Sequence, residues 1–343
     1  MTYPPPRSSS ASGTVAVALT AHERELFFGD RDLSGIPGVW LLADADLSPG
    51  TWPALLDTLR PTVLVTAWST PPLSEAWLQR PDCPLRFVCH VTGSVRRLVP
   101  RSFLSRGGVI SNWGGSVSEQ VAEHALLLAL GALRNAGRWA GFIANGGNRE
   151  RLEQLGTRTL FGRRLGIHGF GSVARALVPL LRPFGATIAA YSAGVPPALM
   201  HEAGIVPAES LSALFAGSEI LFECEALTPG TELSVTAELL ALLPDDAVFV
   251  NVGRGQLVDE TALAHEARSG RLRLALDVVN DEPLSADSPF FGLPNVILSP
   301  HIGGPTADRY RQCGDNALAN LAAFLRGEPL PGGISLASYD RAT

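Results

Sequence analysis

Short apolar runs of strand length alternate with helix-length segments along most of this chain, and that alternation constrains its fold more than any other feature. Val15–Leu19, Val39–Ala43, Val63–Ala67 and Phe87–Val91 are the first four runs, with helix candidates such as Trp52–Arg60 and Ser74–Gln79 between them. Apolar strands separated by helices are what a parallel sheet covered on both faces requires. A long helix is predicted from Ser118 to about Phe142, with Ser118 as N-cap and Glu119 in the first turn. Val121, Ala125, Leu128 and Ala132 share one face of it. Residues 145–159 read as a loop, and then the alternation restarts. Strands are predicted at Leu165–His168, Thr187–Tyr191, Ile220–Glu223, Ala247–Asn251, Leu272–Ala275 and Val296–Ser299. Helices are predicted at Val173–Leu181, Glu209–Phe215, Thr236–Leu243 and Glu260–Ser269. Six strands with crossover helices form the layout of a doubly wound α/β domain. The last helix, Ala307–Arg326, lies outside this second repeat.

Composition narrows the chemistry. The 343 residues are enough for about two domains, and 46% hydrophobic against 17% charged residues can bury a sizeable core. The net charge of -6 gives no broad basic footprint for nucleic acid. All basic residues are Arg, which excludes Schiff-base chemistry and every other mechanism that needs a lysine. Four cysteines (Cys83, Cys89, Cys224, Cys313) form no C-x-x-C pair, so no metal site is expected, and they suit a reducing, cytoplasmic setting. The apolar stretch Ala125–Leu133 is too short for a bilayer, so no membrane partner is expected. Residues 1–13 are Pro- and Ser-rich and read as a disordered tail. Val15–Leu19 reads as a first strand rather than a signal peptide, because it runs at once into His22, Glu23, Arg24 and Glu25.

Gly169-Phe170-Gly171-Ser172-Val173-Ala174 is a G-x-G-x-x-A placed after a strand candidate and at the start of a helix candidate. In that context Gly169 permits a tight turn, Gly171 lets the backbone approach a pyrophosphate, and Ala174 lets the helix pack close to the sheet. The free N–H groups at the start of the helix, Ser172 and Val173 among them, face the anion. An acid normally follows ~20 residues on and holds the adenosine ribose. Tyr191-Ser192 stands there instead, and no Arg occurs between Arg182 and Arg254 to clamp a 2′-phosphate. The spacing therefore predicts NAD or NADP with weak discrimination, NAD slightly favoured.

Three further groups follow strand candidates: Asn251-Val252-Gly253-Arg254-Gly255, Asp277-Val278 with Glu282-Pro283, and Ser299-Pro300-His301. The carboxyl ends of strands in open α/β sheets form the ligand crevice. Arg grips a carboxylate in a planar fork and polarises an adjacent carbonyl. His exchanges a hydroxyl proton near neutral pH, and a nearby Glu holds the ring and favours its charged form. Singly each residue has an ordinary structural reading; in this order, each after a strand, they point to an acid–base site for a small acid.

These words together resemble the D-isomer-specific 2-hydroxyacid dehydrogenases. The resemblance is strongest from Val121 to Gly304 and includes Val121-Ala122-Glu123-His124, Leu227-Thr228-Pro229-Gly230-Thr231, Val258-Asp259-Glu260 and Glu282-Pro283-Leu284. It implies an oxidoreductase acting on a 2-keto or 2-hydroxy acid, with Arg254, Glu282 and His301 as catalytic residues. It implies cofactor contacts at Gly169, Gly171, Ser172, Val173, Ser192, Thr228, Val252 and Asp277, the last beside the nicotinamide carboxamide. It also implies a Rossmann-type cofactor domain (111–304) inserted into a flavodoxin-like α/β substrate domain (14–110 plus 305–343), and a homodimer. Gly93 and Ser94, in Thr92-Gly93-Ser94-Val95-Arg96-Arg97, are the expected substrate carboxylate loop, with Arg254 as the other substrate contact. Arg96 and Arg97 are either a solvated pair or a site for a second anionic group. Ser192 in place of the acid, Cys224 in place of His and Ala226 in place of Pro depart from the family pattern. Some relatives act as corepressors that sense NAD(H), which is the alternative reading.

Overall fold

The structure, a computed structural model, describes residues 13–341. The expected tail at 1–13 lies outside the described residues, apart from Gly13. The chain divides into two compact units: one combines the residues up to Ser116 with those from Ala307 on, and the other is Val117–Thr306.

The first unit holds strands β1 (Val15–Ala18), β2 (Val39–Leu41), β3 (Val63–Thr66), β4 (Phe87–His90) and β5 (Val109–Ser111). All pair in parallel in the order β2-β1-β3-β4-β5, which is the flavodoxin-like order. Ala16, Ala18, Leu64, Val88 and Ile110 enter a core on one face. Phe87 faces the other way and stacks on Phe324 at 4.6 Å. The helix Tyr310–Arg326 is thus packed on the first sheet, which accounts for a late helix that belongs to no late strand.

The second unit holds β6 (Arg164–His168), β7 (Thr187–Tyr191), β8 (Val206–Pro207), β9 (Ile220–Glu223), β10 (Val248–Asn251), β11 (Arg273–Leu276) and β12 (Val296–Leu298). Their order, β12-β11-β10-β9-β6-β7-β8, is that of a Rossmann sheet with one added strand, and the direction of winding reverses between β6 and β9. The apolar runs alternate between two cores, as a strand's period of two dictates. Ile220, Phe222, Val248 and Val250 join one core, while Leu221, Phe249, Leu274 and Leu276 join the other.

Several expectations are corrected. The predicted helix Ser118–Phe142 stops at Leu133, because Asn135 adopts left-handed backbone (φ 50°) and its amide donates to the Leu155 carbonyl. A second helix, Trp139–Ala144, follows. Ser118 is the first helical residue rather than the cap, and Val117 at the cap offers no side-chain bond. The loop at 145–159 contains a 3-10 helix, Arg149–Leu155. β8 was unforeseen: it is two residues long, at the sheet edge where Pro207 needs no ladder N–H.

Candidate active site

The turn after β6 meets the demands of a dinucleotide. Gly169 has φ +88°, and a Cβ there would lie 2.5 Å from the Cα and N of Glu225. Only glycine fits on both counts. A Cβ on Gly171 would meet nothing within 4 Å, so the space over the turn is open. Gly171 caps the helix Ser172–Leu181 without a side-chain bond, and Ser172 and Val173 thus begin an uncapped helix pointing its positive end at that space. These features fit a pyrophosphate.

A run of backbone hydrogen bonds joins the carboxyl ends of the strands. Gly169 donates to Tyr191 at 2.8 Å, Cys224 to His168 at 2.8 Å, Val252 to Glu223 at 3.2 Å, Asp277 to Asn251 at 3.0 Å and His301 to Asp277 at 2.9 Å. Arg254, Asp277 and His301 follow β10, β11 and β12, which are successive neighbours. At ~4.8 Å per strand the first and last of these ends are about 10 Å apart.

Arg254 is placed by its neighbours. The buried Asn251 side chain accepts from Gly253 N–H at 3.0 Å and donates to the Arg254 carbonyl at 3.1 Å. The guanidinium donates to the Gly253 carbonyl at 2.6 Å. A Cβ on Gly255 would fall on the Val279 carbonyl, so the Arg254 loop and the segment after β11 fit only with glycine there.

His301 and Glu282 are brought together: Nδ1 lies 2.6 Å from Oε2, on side chains 44% and 37% exposed. The other carboxylate oxygen accepts from Val279 N–H at 3.3 Å. A carboxylate only accepts, so Nδ1 carries the proton and Nε2 is left for chemistry. His301 has φ 53°, the left-handed region. A non-glycine residue pays about 1 kcal/mol or more for that backbone and keeps it only where its surroundings fix it.

Asp277 does much of that fixing. It is buried, and its carboxylate accepts from Ser299 Oγ at 2.6 Å, Ile302 N–H at 3.0 Å and Gly303 N–H at 2.9 Å. His124 Nε2, from the helix Ser118–Leu133, lies 3.2 Å away and contacts Ser299 Oγ at 2.9 Å. Burial alone would raise the carboxyl's pKa; the bonds from His124, Ser299, Ile302 and Gly303 hold it below its ordinary value. The expected place of Asp277 beside the nicotinamide is accompanied by a structural one. His124 braces Asp277 and Ser299, a role that the sequence pattern alone does not signal.

The remaining expected residues are placed as follows. Thr228 closes a turn on Thr231, with the hydroxyls 3.0 Å apart. Val252 is nearly buried in the row of strand ends. In the other unit, Gly93 accepts from Asn112 Nδ2 at 2.6 Å, and a Cβ on it would meet the Trp113 indole at 2.5 Å. Ser94 is exposed. Arg96 acts electrostatically on Tyr339 and Asp340 of the C-terminal helix Leu336–Arg341, while Arg97 is exposed.

Ser192 Oγ donates to Glu225 Oε2 at 3.0 Å, so an acid does stand at the end of β7, delivered from the end of β9. Spacing along the chain could not reveal it.

Fold and site together define a doubly wound, dinucleotide-binding α/β protein. The family model described as D-isomer specific 2-hydroxyacid dehydrogenase, NAD binding domain, matches residues 126–303, and the chain belongs to this family. Over 233 residues it is 34% identical to a D-3-phosphoglycerate dehydrogenase of Mycobacterium leprae, covering 68% of this chain and 43% of that protein. The match therefore spans less than half of that relative's length. Over 241 residues it is 33% identical to the glyoxylate/hydroxypyruvate reductase HPR3 of Arabidopsis thaliana, covering 67% of this chain and 70% of that protein. The fold is also that of a glyoxylate reductase from Paecilomyes thermophila, with a TM-score of 0.74, 24% identity, and coverage of 94% of this chain and 98% of the other.

Proposed function

We propose that the chain reversibly transfers hydride between a nicotinamide dinucleotide and C2 of a small D-2-hydroxy or 2-keto acid. The observation that carries this reading is the Glu282–His301 pair at 2.6 Å, set at the end of β12. A bound nicotinamide supplies or takes up the hydride. Arg254 stabilises charge on the carbonyl oxygen of the acid. His301 gives its Nε2 proton to that oxygen in reduction and takes it back in oxidation, and Glu282 holds the ring and balances its charge. Gly169, Gly171, Ser172 and Val173 hold the pyrophosphate, Asp277 and Val252 line the nicotinamide side, and Ser192 and Thr228 line the adenosine side. Gly93 and Ser94 receive the substrate carboxylate, in the discontinuous unit that we assign as the substrate domain.

The aromatic surroundings of Gly93 support an uncharged substituent on the acid. Trp113 covers Gly93, Trp68 lies 6.5 Å from Trp113, and Phe27 and Tyr310 lie 5.3 and 6.2 Å from Trp68. The large apolar side chains of Leu127, Trp139, Ile143 and Leu152 are exposed, which supports a homodimer in which a second copy would cover them. Four free thiols support a reducing, cytoplasmic setting.

The test is loss of NADH absorbance with a panel of 2-keto acids that includes glyoxylate, hydroxypyruvate, phenylpyruvate and phosphohydroxypyruvate. Turnover is expected, with uncharged side chains favoured. His301→Ala should lose about 10²–10⁴-fold in kcat while NADH binding is kept. Tight NADH binding without turnover of any acid would favour the sensing, corepressor-like alternative.

A further inference from the structure

Sheet order explains how an acid reaches the ribose edge of this site. β9 and β7 flank β6 on opposite sides, so the chain leaving β9 passes directly against the Gly169 turn. The absent side chain of Gly169 makes room for it, since a Cβ there would lie 2.5 Å from Glu225 Cα. From that position Glu225 reaches Ser192, whose hydroxyl donates to Oε2 at 3.0 Å.

Two further bonds hold the residue, one through its carboxylate and one through its backbone. Oε1 accepts from Ala226 N–H at 2.9 Å, and the Glu225 N–H donates to Glu223 Oε1 at 2.9 Å. Glu223 is itself buried and paired with His168 Nδ1 at 2.6 Å, which accounts for its charge. The hydrogen-bond partners of the Glu225 carboxylate here are neutral, and His168, which also feels its charge, is paired directly with Glu223, so the Glu225 carboxylate is presented at the end of β7. No Arg stands between Arg182 and Arg254 to oppose it.

We propose that Glu225, held by Ser192, selects the adenosine ribose: it accepts a hydrogen bond from a free 2′-hydroxyl and repels a 2′-phosphate, so that the chain takes NAD(H) over NADP(H). The charge is supplied by β9, on the far side of the Gly-rich turn from the strand that ordinarily supplies it. Ser192 keeps the carboxylate from turning away, and its hydroxyl is a second group able to face the ribose. The proposal rests on the Gly169–Val173 turn as the dinucleotide site and is independent of which acid is reduced.

The experiment is equilibrium titration of the full chain with NADH and NADPH, followed by fluorescence, for the wild type, Glu225→Gln and Glu225→Ala. Wild type should bind NADH more tightly by about tenfold or more, the scale set by like-charge juxtaposition. Glu225→Gln keeps the shape and one acceptor oxygen and should bring the two affinities within about threefold, chiefly by tightening NADPH. Glu225→Ala should tighten NADPH and weaken NADH; if it does not fold, the Gln variant carries the same comparison. A wild-type ratio near one, or a ratio unchanged in Glu225→Gln, would overturn the proposal while leaving the dinucleotide site intact. Failure of the wild type to bind either dinucleotide would overturn both.

Discussion

Asp277 holds His301 without touching its ring: its carbonyl accepts the His301 N–H at 2.9 Å, and its carboxylate takes the N–H groups of the next two residues, Ile302 and Gly303. His301 sits in left-handed backbone because the loop around it is tied down by these bonds.

Removing that tie should therefore act on chemistry through position. Asp277→Ala leaves the Ile302 and Gly303 amides and the Ser299 hydroxyl without their acceptor. It should lower kcat by about 100-fold, the cost of an ångström-scale misplacement, and lower Tm. Ser299→Ala removes one donor only and should cost far less in both. Steady-state kinetics and thermal melts on the same preparations check this. Equal kcat losses in the two variants would contradict the anchoring role.

The two glycines of the turn should separate folding from binding. Gly171→Ala places a methyl in open space, so Tm should change by no more than about 1 °C, while dinucleotide affinity falls because the backbone can no longer approach a phosphate. Gly169→Ala forces a Cβ onto the Glu225 backbone at a positive φ, so it should lose both stability and binding. Melts with and without NADH distinguish the two.

The buried His168–Glu223 pair predicts a pH dependence of stability. Burial alone would lower the His168 pKa, but Glu223 at 2.6 Å, with Glu225 adding to it, lifts it above its ordinary value. A raised histidine stabilises fully below its unfolded pKa of about 6.5, and the contribution is lost as pH climbs through the folded value. Wild type should thus lose Tm relative to a His168→Leu, Glu223→Gln double variant as pH rises above the ordinary histidine range of about 6.5. His168→Leu alone strands a buried charge and should cost about 3–5 kcal/mol. Parallel melting curves for wild type and the double variant would rule the pair out as a titrating element.

Much of this was legible in the chain. The strands announced themselves because both faces of each sheet are covered, so Val248, Phe249 and Val250 are all apolar though they point into different cores. Arg254, Glu282 and His301 stand out in the sequence because each follows a strand, and the structure pairs Glu282 with His301. The break at Asn135 was not, since it depends on a distant carbonyl at Leu155. Glu225 was not legible either. Its nearness to Ser192 follows from sheet order, with β6 between two strands whose sequences lie about thirty residues apart.

The row of main-chain hydrogen bonds from Tyr191 to His301 has a consequence for how such a site can change over time. Since amides and carbonyls, common to nearly every residue, set the spacing between the glycine turn and the imidazole, the Cys224 side chain in that row is released from the task. Cys224 and Ala226, which depart from the family pattern, can therefore be exchanged without disturbing the spacing from the glycine turn to His301.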